Sequence, residues 1–202
     1  MADGVITDLA ALEALYGTPG EAALIKVADH LTPLYAKWVM TSRFCVVSTV
    51  GPQGTDGSPR GDDGPVVQML NPKTLLLPDW RGNNRMDTLR NIVEDGRISL
   101  MFLVPGANNV IRINGTAVVS TAADLIQRFE QDGRHPRSVV VITVVEVYSQ
   151  CARALMRARL WTSGDESAGL PSVGALLQEQ KDSFDGQSYD AEWAARASTT
   201  MW

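Results

Sequence analysis

The sequence predicts a mainly β fold: a β-barrel or sandwich of antiparallel strands with flanking helices. Runs rich in β-branched and aromatic residues alternate with turns that contain glycine, proline or asparagine. Several strands in succession with connections of hairpin length favour an antiparallel barrel or sandwich. The candidate strands span residues 44–50, 66–70, 74–77, 98–104, 109–119 and 139–148.

Residues 7–40 are predicted to form a helical arm that precedes the strands. Thr7 is the expected N-cap of a first helix, and Gly17 its stop. A second helix begins at Glu21, and Pro33 either kinks it or restarts the chain as a new helix. We therefore expect three segments: an N-terminal helical arm at 1–40, a barrel domain at 41–165, and a C-terminal helical segment with a tail at 166–202.

The connections between the strands are predicted to be of two kinds. Residues 51–57 are rich in glycine and form a connecting turn, whereas 85–94 and 122–129 have helical patterns and cover the barrel openings. A terminal helix is expected over 170–181. Residues 182–202 are expected to be loosely ordered or to pack on a partner subunit.

The composition limits the possible partners. The chain has 202 residues, 45% of them hydrophobic and 20% charged, which is ordinary for a globular protein. Its formal charge of -5 argues against a general affinity for nucleic acid or an acidic membrane, because both require a basic surface. Any anion has to be held by a local cluster of cations.

The cysteines and the termini indicate a cytoplasmic setting. Cys45 and Cys151 are far apart and show no spacing typical of a zinc site or a disulfide framework. The first residues lack a basic segment followed by an apolar run, and no later segment offers about 18 uninterrupted apolar residues. Secretion and membrane spanning are therefore not expected.

Two segments on either side of an apolar strand carry the main functional signal. They read Ser58-Pro59-Arg60-Gly61-Asp62 and Gly82-Asn83-Asn84-Arg85. A guanidinium matches phosphate oxygens with two parallel hydrogen bonds, and glycine lets backbone amides approach the same oxygens. A phosphorylated cofactor is therefore the leading candidate ligand.

Each arginine of this pair also has a structural interpretation. Arg60 could be a solvated side chain paired with Asp62 or Asp63. Arg85 lies at the predicted start of a helix, where a cation opposes the helix dipole, so its position is better explained by an anion bound between it and the free amides. The alternative is that Arg85 is an ordinary surface residue.

A second basic cluster lies at 152–161. Arg153 and Arg157 share a face if this segment is helical, and Arg157 and Arg159 share one if it is extended. The cluster is either a solvated helix with Trp161 in the core or a surface against an aromatic ligand. His30 and His135, like the two cysteines, form no convincing catalytic constellation, so a cofactor is the natural source of chemistry.

Taken together, these motifs resemble the FMN-binding split-barrel family related to pyridoxamine 5'-phosphate oxidase. Beyond the two arginine segments, the resemblance includes the runs 86–92, 99–106, 111–115 and 151–155, so it covers roughly residues 40–175. No single piece is specific, but the ordered series is. The resemblance implies an antiparallel FMN-binding split barrel.

The resemblance also implies residue roles. One set holds the FMN phosphate: Ser58, Arg60, Asn84 and Arg85. A second set borders the ribityl chain or the ring: Pro78 and Asp79. Family members are usually homodimers that share each flavin, so a third set is expected to reach the ring from the second chain: Tyr148, Arg157 and Arg159. One of those arginines would stabilise the reduced, anionic flavin.

The implied activity is that of an FMN-dependent oxidoreductase acting on a small molecule. Two alternatives stay open: a flavin carrier or sensor without turnover, and a related barrel that binds deazaflavin or haem. The residues that bind the substrate phosphate in the vitamin-forming oxidase have no clear match, and the chain after Leu170 differs from that enzyme. The vitamin is therefore not the expected substrate.

Overall fold

The computed structural model describes residues 4–200, in which seven strands form one antiparallel sheet. The strands are β1 (Phe44–Gly51), β2 (Gly54–Gly61), β3 (Gln68–Asn71), β4 (Thr74–Asp79), β5 (Arg97–Leu103), β6 (Val110–Ser120) and β7 (Ser138–Gln150). Their order in the sheet is β2-β1-β5-β6-β7-β4-β3. The mainly β, antiparallel prediction is confirmed.

The sheet curls around a single main core. Val47 of β1 and Leu75 of β4 lie in the same buried cluster, although three strands separate β1 from β4 in the sheet. Only a curved sheet brings both inner faces together, and this curvature gives the split barrel. Residues Leu100, Ile113 and Ile142 of the intervening strands are fully buried in the same cluster.

One predicted turn is too long. The connection after β1 consists of Pro52 and Gln53 alone, and β2 begins at Gly54, within the residues that were expected to form the turn. β2 pairs with β1 along its whole length, from Gly51↔Gly54 to Phe44↔Gly61. Its glycines obscure the strand pattern, because β2 lies at the sheet edge, where burial selects few β-branched residues.

The N-terminal segment contains three helices: α1 (Leu9–Tyr16), α2 (Glu21–Ile25) and α3 (Pro33–Thr41). The N-cap of α1 is Asp8 rather than the predicted Thr7, because the Asp8 carboxylate accepts a hydrogen bond from the amide of Ala11 at 2.8 Å. Pro33 restarts the chain, since it occupies the first turn of α3 behind the Thr32 cap.

Three helices connect the strands and follow the last one: α4 (Asp87–Glu94), α5 (Ala123–Ile126) and α6 (Arg153–Ala158). α4 packs Leu89 and Ile92 against the core. The second predicted helix is shorter than expected: α5 stops at Ile126, and Phe129 packs in a separate cluster with Leu76 and Val139 outside the main core.

The C-terminal segment is more ordered than predicted. It forms α7 (Val173–Gln180), α8 (Gly186–Ala191) and α9 (Trp193–Thr200), so a loose tail is wrong for residues 182–200, while 201–202 lie outside the described residues. α7 and α8 meet through a close approach of Gly174 and Gly186. None of the helices between residues 4 and 200 has the length and hydrophobicity needed to cross a bilayer.

Candidate functional site

A cavity of about 250 Å³ opens where β2, β4 and the chain before α4 meet. Its lining includes four arginines and a single carboxylate: Arg60, Arg81, Arg85, Arg137 and Asp79. The remaining lining residues are Trp80, Gly82, Asn83, Asn84, Met86, Thr88, Leu89 and Ser138. We call this region the arginine end. Its lining holds more guanidiniums than carboxylates, although the chain as a whole carries a formal charge of -5.

Arg60 and Asp79 form the half-buried centre of this cavity. The guanidinium Nη2 of Arg60 lies 3.9 Å from the Asp79 carboxylate, and the side chains are 28% and 22% exposed. The predicted alternative, a pair with Asp62 or Asp63, is wrong, because Asp62 binds Trp80 and Gln131 while Asp63 pairs with Arg43. Burial raises the pKa of Asp79, and the charges of Arg60 and Arg137 oppose that rise.

Strand alternation places Ser58 on the same face as Arg60. Asp56, Ser58 and Arg60 are half-buried, while the residues between them are exposed. Asp56 anchors this face to α4, because its carboxylate accepts a hydrogen bond of 2.5 Å from the hydroxyl of Thr88. Ser58 lies between Asp56 and the cavity residue Arg60, although it does not itself line the cavity.

The second predicted arginine segment forms a tight turn before α4. Asn84 adopts a left-handed conformation with φ of 60°, and the side chain of Asn83 accepts a hydrogen bond from the amide of Arg85 at 2.9 Å. Neither asparagine caps the helix, because the N-cap position is Met86. Arg85 therefore precedes α4 instead of starting it.

Arg85 also has a partner within the protein. Its Nε donates to the carboxylate of Asp87 at 2.5 Å, and its side chain is 80% exposed. Asp87 lies in the first turn of α4, so the helix dipole has a protein carboxylate beside it. The argument that Arg85 requires a bound anion is therefore weaker than the sequence indicated, and its contact with phosphate stays a prediction.

Arg137 is a cavity residue that the sequence did not reveal. Its Nη1 donates to the side-chain oxygen of Asn84 at 3.3 Å. It precedes β7, whose first residue Ser138 is the register partner of Asp79 at the end of β4. Only this pairing of two distant strands places Arg137 beside the turn, so no local sequence pattern could have indicated it.

A larger cleft of about 930 Å³ adjoins the arginine end. Trp80 and Arg81 line both spaces. The carboxylate of Asp62 accepts hydrogen bonds from the indole of Trp80 at 2.9 Å and from the amide of Gln131 at 2.5 Å, which ties together the loops around the cleft. Pro78 is buried and lines a small pocket of about 170 Å³ between the two spaces, together with Arg60.

The predicted ring-contacting residues lie around the last part of β7, which we call the tyrosine end. The ring centre of Tyr148 is 5.3 Å from the guanidinium carbon of Arg112 and 5.5 Å from the ammonium of Lys26. Arg157 lies in the last turn of α6, and Arg159 ends that helix in a left-handed conformation with φ of 48°. Of the two predicted arrangements of this segment, the helical one is therefore observed.

The structure does not bring the two ends together within one chain. Ser138 and Tyr148 are ten positions apart in β7, which is roughly 30 Å of extended strand. α6 cannot return over that distance, because six helical residues span only about 9 Å. The indole of Trp161 also fixes the segment after α6 at this end, since it donates to the carbonyl of Ala107 at 2.9 Å.

The remaining candidate groups have structural or surface positions. His30 is exposed beside Asp29, and His135 contacts the carbonyl of Phe129. Cys45 is fully buried, and this burial raises the pKa of its thiol to about 12, whereas Cys151 is exposed. Within residues 4–200, no group of three or more His, Cys, Asp or Glu side chains is arranged to hold a metal ion. The arginine end is thus the best candidate binding site.

Comparison with sequence families gives a match over most of the barrel. A family model described as pyridoxamine 5'-phosphate oxidase matches residues 31–151, which is more than half of the chain and includes both arginine segments, β1–β7 and α4. A comparison with curated proteins finds no match.

Comparison with solved structures finds similar chains at low sequence identity. A HupZ variant from Group A Streptococcus has a TM-score of 0.50 at 18% identity, over 59% of this chain and 99% of that chain. A candidate pyridoxamine 5'-phosphate oxidase from Lactobacillus delbrueckii has a TM-score of 0.48 at 19% identity, over 60% and 95%. An FMN-binding protein from Syntrophomonas wolfei has a TM-score of 0.44 at 15% identity, over 61% and 84%.

Proposed function

The chain belongs to the pyridoxamine 5'-phosphate oxidase family, and on that premise we propose that it binds FMN and acts as an FMN-dependent oxidoreductase on a small molecule. Bound FMN would supply the transfer of hydride or electrons. The role of the protein is to hold the cofactor, orient it and tune its redox potential. The free thiols of Cys45 and Cys151 fit a cytoplasmic location, which is part of the same proposal.

One observation carries the cofactor proposal: the charge of the arginine-end cavity. Arg60, Arg85 and Arg137 line it against the Asp79 carboxylate, and Asp87, which pairs with Arg85 from outside the lining, still leaves an excess of positive charge. A phosphate monoester carries close to two negative charges at neutral pH and accepts hydrogen bonds on three oxygens. The lining therefore fits the phosphate end of FMN.

The proposed contacts follow from the positions around this cavity. Arg60 is the most buried of the proposed phosphate-binding cations and binds the phosphate with charge-assisted hydrogen bonds, while the exposed Arg85 closes the site from the turn. Asn84 belongs to the same turn, and Ser58 supports the strand face beside Arg60. Asp79, next to Arg60, faces the ribityl hydroxyls rather than the phosphate, since two anions repel each other.

The size of the cavity indicates that it holds only part of the cofactor. Pockets for whole ligands of this kind usually measure about 300–1,000 Å³. The arginine-end cavity, at about 250 Å³, suits the phosphate and part of the ribityl chain. The ring would then extend past Pro78 and Trp80 toward the larger cleft, where a second chain can cover it.

The second chain is the remaining part of the proposal. Tyr148, Arg157 and Arg159 lie too far along β7 and α6 to reach the arginine end of their own chain. A homodimer in which the tyrosine end of one chain faces the arginine end of the other would bring them to the ring. Val118 and Val145, on the outer face of the β6–β7 pair, are more than half exposed and offer apolar surface for such a contact.

The test is the absorption spectrum of the purified protein, followed by titration with FMN and with riboflavin. The proposal predicts a yellow protein that binds FMN at least tenfold more tightly than riboflavin, because riboflavin lacks the phosphate. Equal affinity for the two flavins, or no uptake of either, contradicts it. A deazaflavin or haem spectrum would identify the alternative cofactors, and bound FMN that no donor turns over would identify a carrier or sensor.

A further inference from the structure

We infer that Arg137 is a further phosphate-binding residue, which closes the arginine-end cavity from the β7 side. This inference rests on the proposed function and deepens it, since it names a contact that neither the motifs nor the family match supplies. Arg60 comes from β2 and Arg85 from the turn before α4. Arg137 would approach the same anion from a third direction.

The backbone positions Arg137 through the pairing of β4 with β7. Asp79, the last residue of β4, is the register partner of Ser138, the first residue of β7. Arg137 immediately precedes that pair and lines the cavity together with Asp79 and Ser138. Because the neighbouring ladder is buried and continuous, the attachment point of this arginine is rigid.

The side chain of Arg137 points to the turn that carries the other candidate residues. Its Nη1 donates to Asn84 at 3.3 Å, and Asn84 is the left-handed residue of that turn. A guanidinium has five N–H donors, and this contact uses one of them. Arg137 can therefore hold the turn and still present donors to an anion.

The electrostatics of Asp79 support the same placement. The Asp79 carboxylate feels the charges of both Arg60 and Arg137, which oppose the effect of its burial. Both arginines therefore lie close enough to Asp79 to act on the same carboxylate. A phosphate entering this cavity would find two cations already held by protein partners, Arg60 by Asp79 and Arg137 by Asn84, which lowers the cost of ordering them.

The experiment compares three substitutions at this position. Arg137→Ala removes the side chain, Arg137→Gln removes the charge but keeps an N–H donor for Asn84, and Arg137→Lys keeps the charge. Arg97→Ala is the matched control, because Arg97 pairs with Asp95 on the surface at the start of β5. Each protein is titrated with FMN, with riboflavin and, by phosphorus NMR, with inorganic phosphate.

The inference predicts that Arg137→Ala and Arg137→Gln weaken FMN binding about tenfold or more and leave riboflavin binding within about twofold of the unaltered protein. Arg137→Lys should weaken FMN binding less than these two variants, and Arg97→Ala should leave FMN binding unchanged. A role limited to holding Asn84 would leave Arg137→Gln close to the unaltered protein. An unchanged ratio of FMN to riboflavin affinity in Arg137→Gln therefore overturns the inference.

Inorganic phosphate separates this inference from the proposed function. If the protein takes up no flavin but binds phosphate, and Arg137→Gln loses that binding, the proposed cofactor is wrong and the role of Arg137 stands. If FMN binds tightly and Arg137→Gln retains the full preference for it, the cofactor stands and the role of Arg137 fails. A protein that binds neither FMN nor phosphate contradicts both.

Discussion

The arginine end and the tyrosine end of this barrel are built differently. At the arginine end, strand ends, a turn and a helix enclose an arginine-rich cavity, and its central pair, Arg60 and Asp79, is half-buried. At the tyrosine end, Tyr148 stacks near Arg112 and Lys26, while Arg157 and Arg159 extend into solvent. On the proposed function, the arginine end holds the anion within one chain, and the exposed surface at the tyrosine end completes the site of another chain.

β7 is the physical connection between these two regions. Its first residue pairs with the end of β4 at the arginine end, and Tyr148 lies close to its other end. β6 pairs with β7 along almost its whole length, with one bulge at Gly115. The same ladder therefore positions both regions and keeps them apart.

The largest expected effect is the loss of FMN affinity when the central cation of the arginine end is removed. Arg60→Ala should weaken FMN binding by about 1.5–3 kcal/mol, because a half-buried charge-assisted contact is lost. Arg85→Ala should cost less, because Arg85 is mostly exposed and pairs with Asp87. Titration with FMN and riboflavin measures both. A larger loss for Arg85→Ala than for Arg60→Ala would reverse the assignment of the central cation.

A defect in the β6–β7 ladder should destabilise the strand that positions both the arginine end and the tyrosine end. A side chain on Gly115 would collide with the backbone of Thr143 in β7, so Gly115→Ala should lower the free energy of unfolding by about 1–3 kcal/mol. Gly57→Ala is the control, because a Cβ at Gly57 meets nothing within 4 Å. Denaturant titration of both variants tests this, and equal stability of the two would show that the bulge does not need glycine.

The tyrosine end should affect the potential of the flavin more than its affinity. Arg157→Ala or Arg159→Ala should lower the midpoint potential of bound FMN, because a positive charge near the ring stabilises the reduced anion. FMN affinity should change less than in Arg60→Ala. Redox titration of the two variants measures the shift, and an unchanged potential in both would remove the tuning role from this end.

The smallest expected effect lies outside both regions and serves as a reference. His30 and Lys73 hydrogen bonds lower the pKa of the exposed Asp29 carboxyl from 3.8 to about 2. A carboxyl with a lowered pKa stabilises the fold above its unfolded pKa and loses that contribution as the pH falls through the folded pKa. Asp29→Asn should therefore lower Tm slightly at pH 7, with the difference fading between about pH 4 and pH 2. A difference that persists at pH 2 would contradict this.

The sequence predicts those parts of the molecule that depend on local signals. Hydrophobic patterns and turn residues indicate β1 and β3–β7, and a helix behind Asn84 follows from the apolar face of α4. β2 is hidden because an edge strand rich in glycine lacks the pattern of a buried one. The ion pair between Arg85 and Asp87 is visible only in the structure, and it reduces the positive charge that remains for a ligand.

The candidate site shows the same limit more sharply. Arg60, Asn84 and Arg85 lie in recognisable motifs, and the structure places them around one cavity with Asp79. Arg137 reaches that cavity only because β4 and β7 pair, and the roughly 30 Å between the two ends follows only from the length and register of β7. Both facts depend on contacts between distant segments, which a single sequence does not display.

The most direct test of the shared site mixes two defective chains. Arg60→Ala damages the arginine end, and the double variant Arg157→Ala/Arg159→Ala damages the tyrosine end. A purified heterodimer of the two should contain one fully intact site, formed by the arginine end of the double variant and the tyrosine end of the Arg60→Ala chain. The account predicts that this heterodimer binds one FMN per dimer with the affinity and midpoint potential of the unaltered protein. A heterodimer without any such site, or chains that form no dimer, would contradict it.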